Sequence, residues 1–189
     1  MEDALTVESL SRAAEGTRKI LARVRADQFG AATPCAAWDV RALIDHFVAV
    51  PRGISAQLNG EYVTPEEAQS PQDLLAAYDL SVQIAERAFG SRDALEKPIS
   101  MPFGEVSGGF MLGMITADQY VHGWDLARAT GQEADLDEEL AGDLLRRVRI
   151  SVTEALRGPE GVAPFGQVVD VAPGVCLADQ LAAFYGRTV

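Results

Sequence analysis

The stretch Phe110–Thr130, F-M-L-G-M-I-T-A-D-Q-Y-V-H-G-W-D-L-A-R-A-T, governs how the rest of the chain is read. Met111, Met114, Ile115, Val121, Leu126 and Ala129 recur at helical spacing, and Gly131 follows as a stop. Asp118 and His122 fall on the same stripe, four residues apart, and are therefore stacked one turn above the other. An ionised carboxylate on an apolar face is costly unless it is paired or bound to a metal. Asp and His at this spacing offer an oxygen and an imidazole nitrogen to one point, and a transition metal accepts both. The same two residues can also form a buried carboxylate–histidine pair without metal. This helix alone does not choose.

Working outward, residues 7 to 27 carry Leu10, Ala13, Ala14, Thr17, Ile20, Leu21 and Val24 at helical spacing and predict a first amphipathic helix. Phe29 to Trp38 reads as a loop. Asp39 is a cap for a second helix with the stripe Val40, Leu43, Ile44, Phe47 and Val48, which Pro51 should kink or end. Gly60 to Gln69 is polar and linker-like. Ser70, Pro71 and Asp73 give a clean start for a third helix running to about Phe89. Residues 91 to 109, rich in Pro and Gly, predict an ordered loop or short hairpin before the helix that opens near Phe110. Asp135 or Asp137 caps a fifth helix ending near Gly158. A strand-like piece, Val168 to Val171, then precedes a last helix from about Ala178 to Tyr185. Four long helices without βα alternation predict an all-α fold, a four-helix bundle with extra short helices and a small irregular or hairpin segment. No repeat or composition shift divides residues 1–189, so a single domain is expected.

Of the 189 residues, 48% are hydrophobic and 23% charged, and the formal charge is −12. Such a surface repels phosphate backbones and anionic lipid, so neither nucleic acid nor a membrane is an expected partner. No apolar run reaches the roughly 18–20 residues of a membrane span, and the acidic N-terminus lacks signal-peptide features. Cys35 and Cys176 lie far apart with no CxxC, which points to a reducing, cytoplasmic compartment. The basic residues are fourteen Arg against two Lys, the skew of a GC-rich genome.

The only other histidine, His46, flanks the Leu43–Phe47 stripe of the second helix, a position from which it can face the bundle interior. Metal sites in bundles are built from side chains on facing helices. By itself, though, a histidine beside an apolar stripe is more often a core or surface residue than a ligand. A resemblance adds to this. T-P-C-A-A-W-D-V-R-A-L-I-D-H, residues 33–46, closely resembles the first signature of the DinB-like mycothiol-dependent maleylpyruvate isomerase superfamily. D-Q-Y-V-H-G-W-D-L-A-R-A-T-G-Q, residues 118–132, resembles its second, and L-A-A-F-Y-G-R, residues 181–187, the ending of its short members.

The resemblance implies a DinB-like bundle in which His46, Asp118 and His122 hold one divalent ion, zinc or nickel, with positions open for water or substrate. It also implies mycothiol as the thiol partner, beside a small-molecule substrate, with transfer, isomerisation or hydrolysis as the chemistry. The arginine skew is compatible with the high-GC bacteria that make mycothiol. Two departures stand out. Asp118 replaces the glutamate common at the middle ligand position, and the isomerase itself carries an additional C-terminal domain, whereas this chain ends at Val189. Its particular activity is therefore not carried over. Catalytic residues and oligomeric state, a homodimer included, stay open.

Around the ligand segments, Trp38 and Trp124 read as packing, Asp39 as a cap, Asp45 as a solvated neighbour and Cys35 as a buried structural thiol. Asp125 is either a group orienting a ligand or the surface partner of Arg128. Glu105 lies just before the fourth helix, toward a pocket mouth. Three readings follow: a thiol-using metalloenzyme, a non-enzymatic metal-binding or stress-response protein, and a metal-free bundle with a buried Asp–His pair.

Overall fold

Thr6 and Ser9 satisfy each other's backbone N–H groups at the start of α1 (Val7–Leu21). The computed structural model describes residues 5–59, 70–101, 104–134, 136–159, 163 and 165–189. α1 is shorter than the periodicity predicts. The backbone becomes extended at Arg25, residues 26–28 form a single 3₁₀ turn, and the Gln28 amide donates to the Thr130 carbonyl. The tertiary tie wins over the helical pattern.

The next loop is folded on Thr33, whose hydroxyl accepts from the Cys35 N–H and lies 2.8 Å from the Trp38 carbonyl. Asp39 then caps α2 (Val40–Asn59) through the Ala42 N–H at 2.8 Å. Pro51 does not end this helix. Its missing N–H leaves the Phe47 carbonyl without the usual helical donor, and the Ser81 hydroxyl of α3 (Pro71–Phe89) lies 3.4 Å from that oxygen. α3 opens with the expected reciprocal cap between Ser70 and Asp73. The linker-like Gly60 to Gln69 lies outside the described residues.

Of the two forms expected for residues 91–109, the chain adopts the hairpin. β1 (Pro98–Met101) and β2 (Gly104–Ser107) are antiparallel, with Pro98 opposite Ser107 and Met101 opposite Gly104. Lys97 donates to the Leu58 carbonyl, and the Ser100 N–H donates to Gln57, so the hairpin sits on the C-terminal end of α2. It feeds directly into α4 (Gly108–Thr130), capped by Ser107 and closed by Gly131 at φ 68°. α2 and α4 therefore meet antiparallel.

α4 is the central helix. It is buried on nearly every side, including Leu112, Thr116, Gln119, Tyr120 and Trp124, which lie off the stripe the sequence suggested. Gly123 makes this possible on the α1 side, because a Cβ there would stand 2.2 Å from the Thr17 hydroxyl. That hydroxyl donates to the Gln119 carbonyl at 2.7 Å.

Asp137 caps α5 (Glu138–Ser151) through the Leu140 N–H; Asp135 lies outside the described residues. α5 stops seven residues before Gly158, where β-branched Val152 turns extended. Val168 to Val171 forms no strand. Its Val169 N–H is satisfied by the Ala183 carbonyl of α6 (Leu177–Phe184) instead. Gly166 and Gly186 cross at van der Waals distance, with Gly186 at φ 94° and room for no side chain. Arg157 lies over the Phe184 ring and donates to the Gly166 and Phe184 carbonyls, locking this crossing. Among the described residues no helix is long and apolar enough to cross a membrane.

Candidate metal centre

The least covered line along α4 runs Phe110, Met114, Asp118, His122, at successive four-residue steps. Asp118 thus lies partly exposed at the seam with α2 rather than in the apolar core, and His46 of α2 faces it. His46 Nε2 lies 3.0 Å from Asp118 Oδ1, and His122 Nε2 lies 3.5 Å from the same oxygen. All three side chains offer a ligand atom within 4.8 Å of the others, the one such group of three among the described residues.

Asp125 decides the chemistry of His122. It is fully buried, and its Oδ2 lies 2.9 Å from His122 Nδ1. A carboxylate only accepts, so Nδ1 carries the proton and donates. In a neutral imidazole Nε2 is then a bare lone pair, and it faces the Asp118 carboxylate. Two acceptors at 3.5 Å repel unless a cation joins them, either a second proton on the ring or a metal ion. The spacing suits a metal. With zinc bonds of about 2.0–2.1 Å, tetrahedral neighbours stand roughly 3.3–3.4 Å apart, between the two distances observed. The residues present fit the implied ion.

Burial alone would raise the Asp118 carboxyl. The charge of His122, the hydrogen bond and charge of His46, and Arg187 together hold it below the usual carboxylate range. Arg187 itself grips Asp125, with contacts at 3.0, 3.1 and 3.3 Å. The Gly166–Gly186 crossing brings it there. Tyr185 is within electrostatic reach as well: burial pushes its phenol up, and the negative charge of Asp118 adds to this.

The expected residues sort cleanly. His46, Asp118 and His122 are brought together. Asp39 is the cap, and Asp45 is exposed and paired with Arg41. Glu105 is exposed on β2. Cys35 is buried in its loop, outside the three-residue group, and neither cysteine forms a disulfide. Of the two roles open for Asp125, the structure selects the orienting one, since Arg128 pairs with Asp179. The tryptophans differ. Trp124 is buried, donating to Asp179, whereas the Trp38 ring packs against both imidazoles at 4.4 and 5.3 Å. Arg187 and the site-facing place of Trp38 were not foreseen. The i, i+3 spacing of His122 and Asp125 was a usable signal, while nothing local marks Arg187.

Fold and site together define a mostly helical DinB-like bundle with a two-histidine, one-carboxylate cluster on facing helices. The comparisons agree with that class. Residues 10–127 match the family described as the mycothiol maleylpyruvate isomerase N-terminal domain, and the chain belongs to this family. Uncharacterized proteins from two strains of Mycobacterium tuberculosis are 39% identical over 179 residues, covering 94% of this chain and 95% of theirs. A histidine-to-alanine variant of the mycothiol-dependent maleylpyruvate isomerase, known from a crystal structure, superposes with a TM-score of 0.57 at 21% identity. It covers 80% of this chain and 71% of its own, a likeness of fold.

Proposed function

We propose that the chain is a metal-dependent enzyme in which His46, Asp118 and His122 hold one zinc or nickel ion and a small-molecule thiol, mycothiol in kind, is the nucleophile. The observation that carries this is His122 Nε2 facing the Asp118 carboxylate across 3.5 Å, a gap that a cation must join, with the other ring nitrogen committed to Asp125. A bound divalent ion would lower the pKa of a thiol or water and yield a nucleophile near neutral pH. The chain's own residues do the rest. Asp125 fixes the His122 tautomer, Arg187 holds Asp125 in place, and Trp38 limits how the imidazoles can turn. Family membership supports the thiol, as does the preference of soft thiolates for zinc and nickel. The reading takes residues 1–189 as one DinB-like domain and a reducing cytoplasm as its compartment.

Cobalt-substituted protein tests the thiol. Mycothiol or a simple analogue should bring up an intense near-ultraviolet thiolate band in the wild type and in Cys35→Ser, but not in Asp118→Ala. A silent spectrum at saturating thiol would overturn the thiol and favour a hydrolase.

A further inference from the structure

Two rows of partly exposed side chains leave the metal centre along the α2–α4 seam. On α2 they are His46, Val50 and Gly53, at positions i, i+4 and i+7 of one face; on α4 they are Asp118, Met114 and Phe110, at four-residue steps in the opposite direction. Because the helices are antiparallel, the rows run side by side toward the hairpin, where Met101 and Val106 are half-buried with Val50 and Met114 on the same apolar cluster. Phe110, in the first turn of α4, is 45% exposed. At Gly53 a Cβ would meet nothing within 4 Å, so the α2 wall is cut back there. Among the described residues these rows form a partly exposed apolar strip, the groove, that begins at the candidate ligands.

Its charge is equally informative. The cations of α2 and α4 are all engaged, as are Lys97 and Arg187 beside them. Arg41 pairs with Asp45, Arg52 donates to the Ala77 carbonyl of α3, Lys97 to the Leu58 carbonyl, Arg128 to Asp179 and Arg187 to Asp125. A dicarboxylate lying in the groove would find no cation on these elements that did not first have to leave a partner. Removing a buried one such as Arg187 from Asp125 would strand a fully buried carboxylate. An apolar chain would instead cover Val50, Met114 and Phe110.

We infer that the substrate of this site carries a neutral, apolar arm that lies along the groove from the metal toward the hairpin, and that Gly53 supplies the room for it. The inference rests on the reading of His46, Asp118 and His122 as a metal site.

Alkanethiols are suitable probes, since their sulfur reports on the metal while their chain samples the groove. On cobalt-loaded full-length protein, the thiolate band gives affinities for ethanethiol, butanethiol, hexanethiol and mercaptosuccinate. Affinity should rise about two- to fourfold per methylene, as partial to full burial of a methylene implies. Mercaptosuccinate, with two carboxylates, should bind at least about tenfold more weakly than butanethiol, since its charges would be desolvated without a partner. Gly53→Phe should flatten the chain-length series while cobalt uptake and ethanethiol affinity stay as in the wild type; Gly53→Leu should flatten it in part. Tight ethanethiol binding with a flat wild-type series, a series unchanged in both folded Gly53 variants, or mercaptosuccinate binding as well as butanethiol would each overturn the groove. Failure to take up cobalt would instead overturn the metal reading beneath it.

Discussion

The α2–α4 seam and the C-terminal passage both bring charge into the molecule, but they compensate it in opposite ways. Where the passage packs on α4, Asp125 is fully buried and met on both oxygens, by three Arg187 contacts and by His122 Nδ1; Arg157 is spent on two carbonyls. In the seam, Asp118 is about one-quarter exposed (24%), faces two imidazoles and has no bonded arginine among the described residues. The two acids sit seven residues apart on one helix and touch the same histidine. Asp125 is a saturated scaffold group. Among the described residues, Asp118 is met by imidazoles alone.

The largest effect should come from breaking the saturated side. Asp125→Ala leaves Arg187 buried without its partner and should cost about 3–5 kcal/mol in the urea unfolding of metal-free protein. Asp118→Ala, at a partly exposed position whose neighbours are imidazoles rather than a buried guanidinium, should cost less under the same conditions. Equal losses would erase the distinction between the two regions.

Metal should add a second loss on the seam side. At a hundredfold excess over Kd, a bound ion adds about 2.7 kcal/mol to wild-type stability. His46→Ala, His122→Ala and Asp118→Ala should stay helical by circular dichroism yet gain none of that protection. A variant that unfolds on losing one histidine would make the site structural.

How much of this was legible in the sequence follows the range of each interaction. Caps and turns within four residues were readable: Asp39, the Ser70–Asp73 pair and Gly131 all stand where local chemistry puts them. The Asp118–His122 stacking is likewise a consequence of helical spacing. Boundaries set by distant partners were not readable. α1 ends early because Gln28 reaches Thr130, and α2 survives Pro51 with Ser81 of α3 beside the freed carbonyl. Val168–Val171 reads as a strand but has only α6 to bond to. Arg187 lies 62 residues from Asp125, and the glycine crossing that carries it there leaves no periodic trace. Even the apolar stripe of α4 misled, since a helix buried nearly all round presents its candidate ligands on the line that is least covered.

A third acid calibrates the comparison at the small end. Asp137 is partly exposed; its hydrogen bond from Arg12, with the Leu140 N–H and the Arg12 charge, outweighs its desolvation and holds it below the usual carboxylate value of about 3.9. Its folded pKa is depressed, so its contribution is present above the unfolded value and is lost as pH falls through the folded one. Asp137→Asn keeps a good cap and removes the ion pair. It should cost no more than about 1 kcal/mol at neutral pH, less at high salt, and the two unfolding curves should converge in acid. A difference that persisted below the folded pKa would mean that packing, not charge, is lost.

The central claim is that the seam holds an ion, and metal titration of the protein purified without a histidine tag tests it most directly. Zinc or nickel should bind at about one equivalent per chain, tighter than micromolar, and His46→Ala and His122→Ala should each abolish that tight site while the fold persists. No binding better than weakly micromolar in the folded wild type would contradict it, leaving His46, Asp118 and His122 joined by a proton alone.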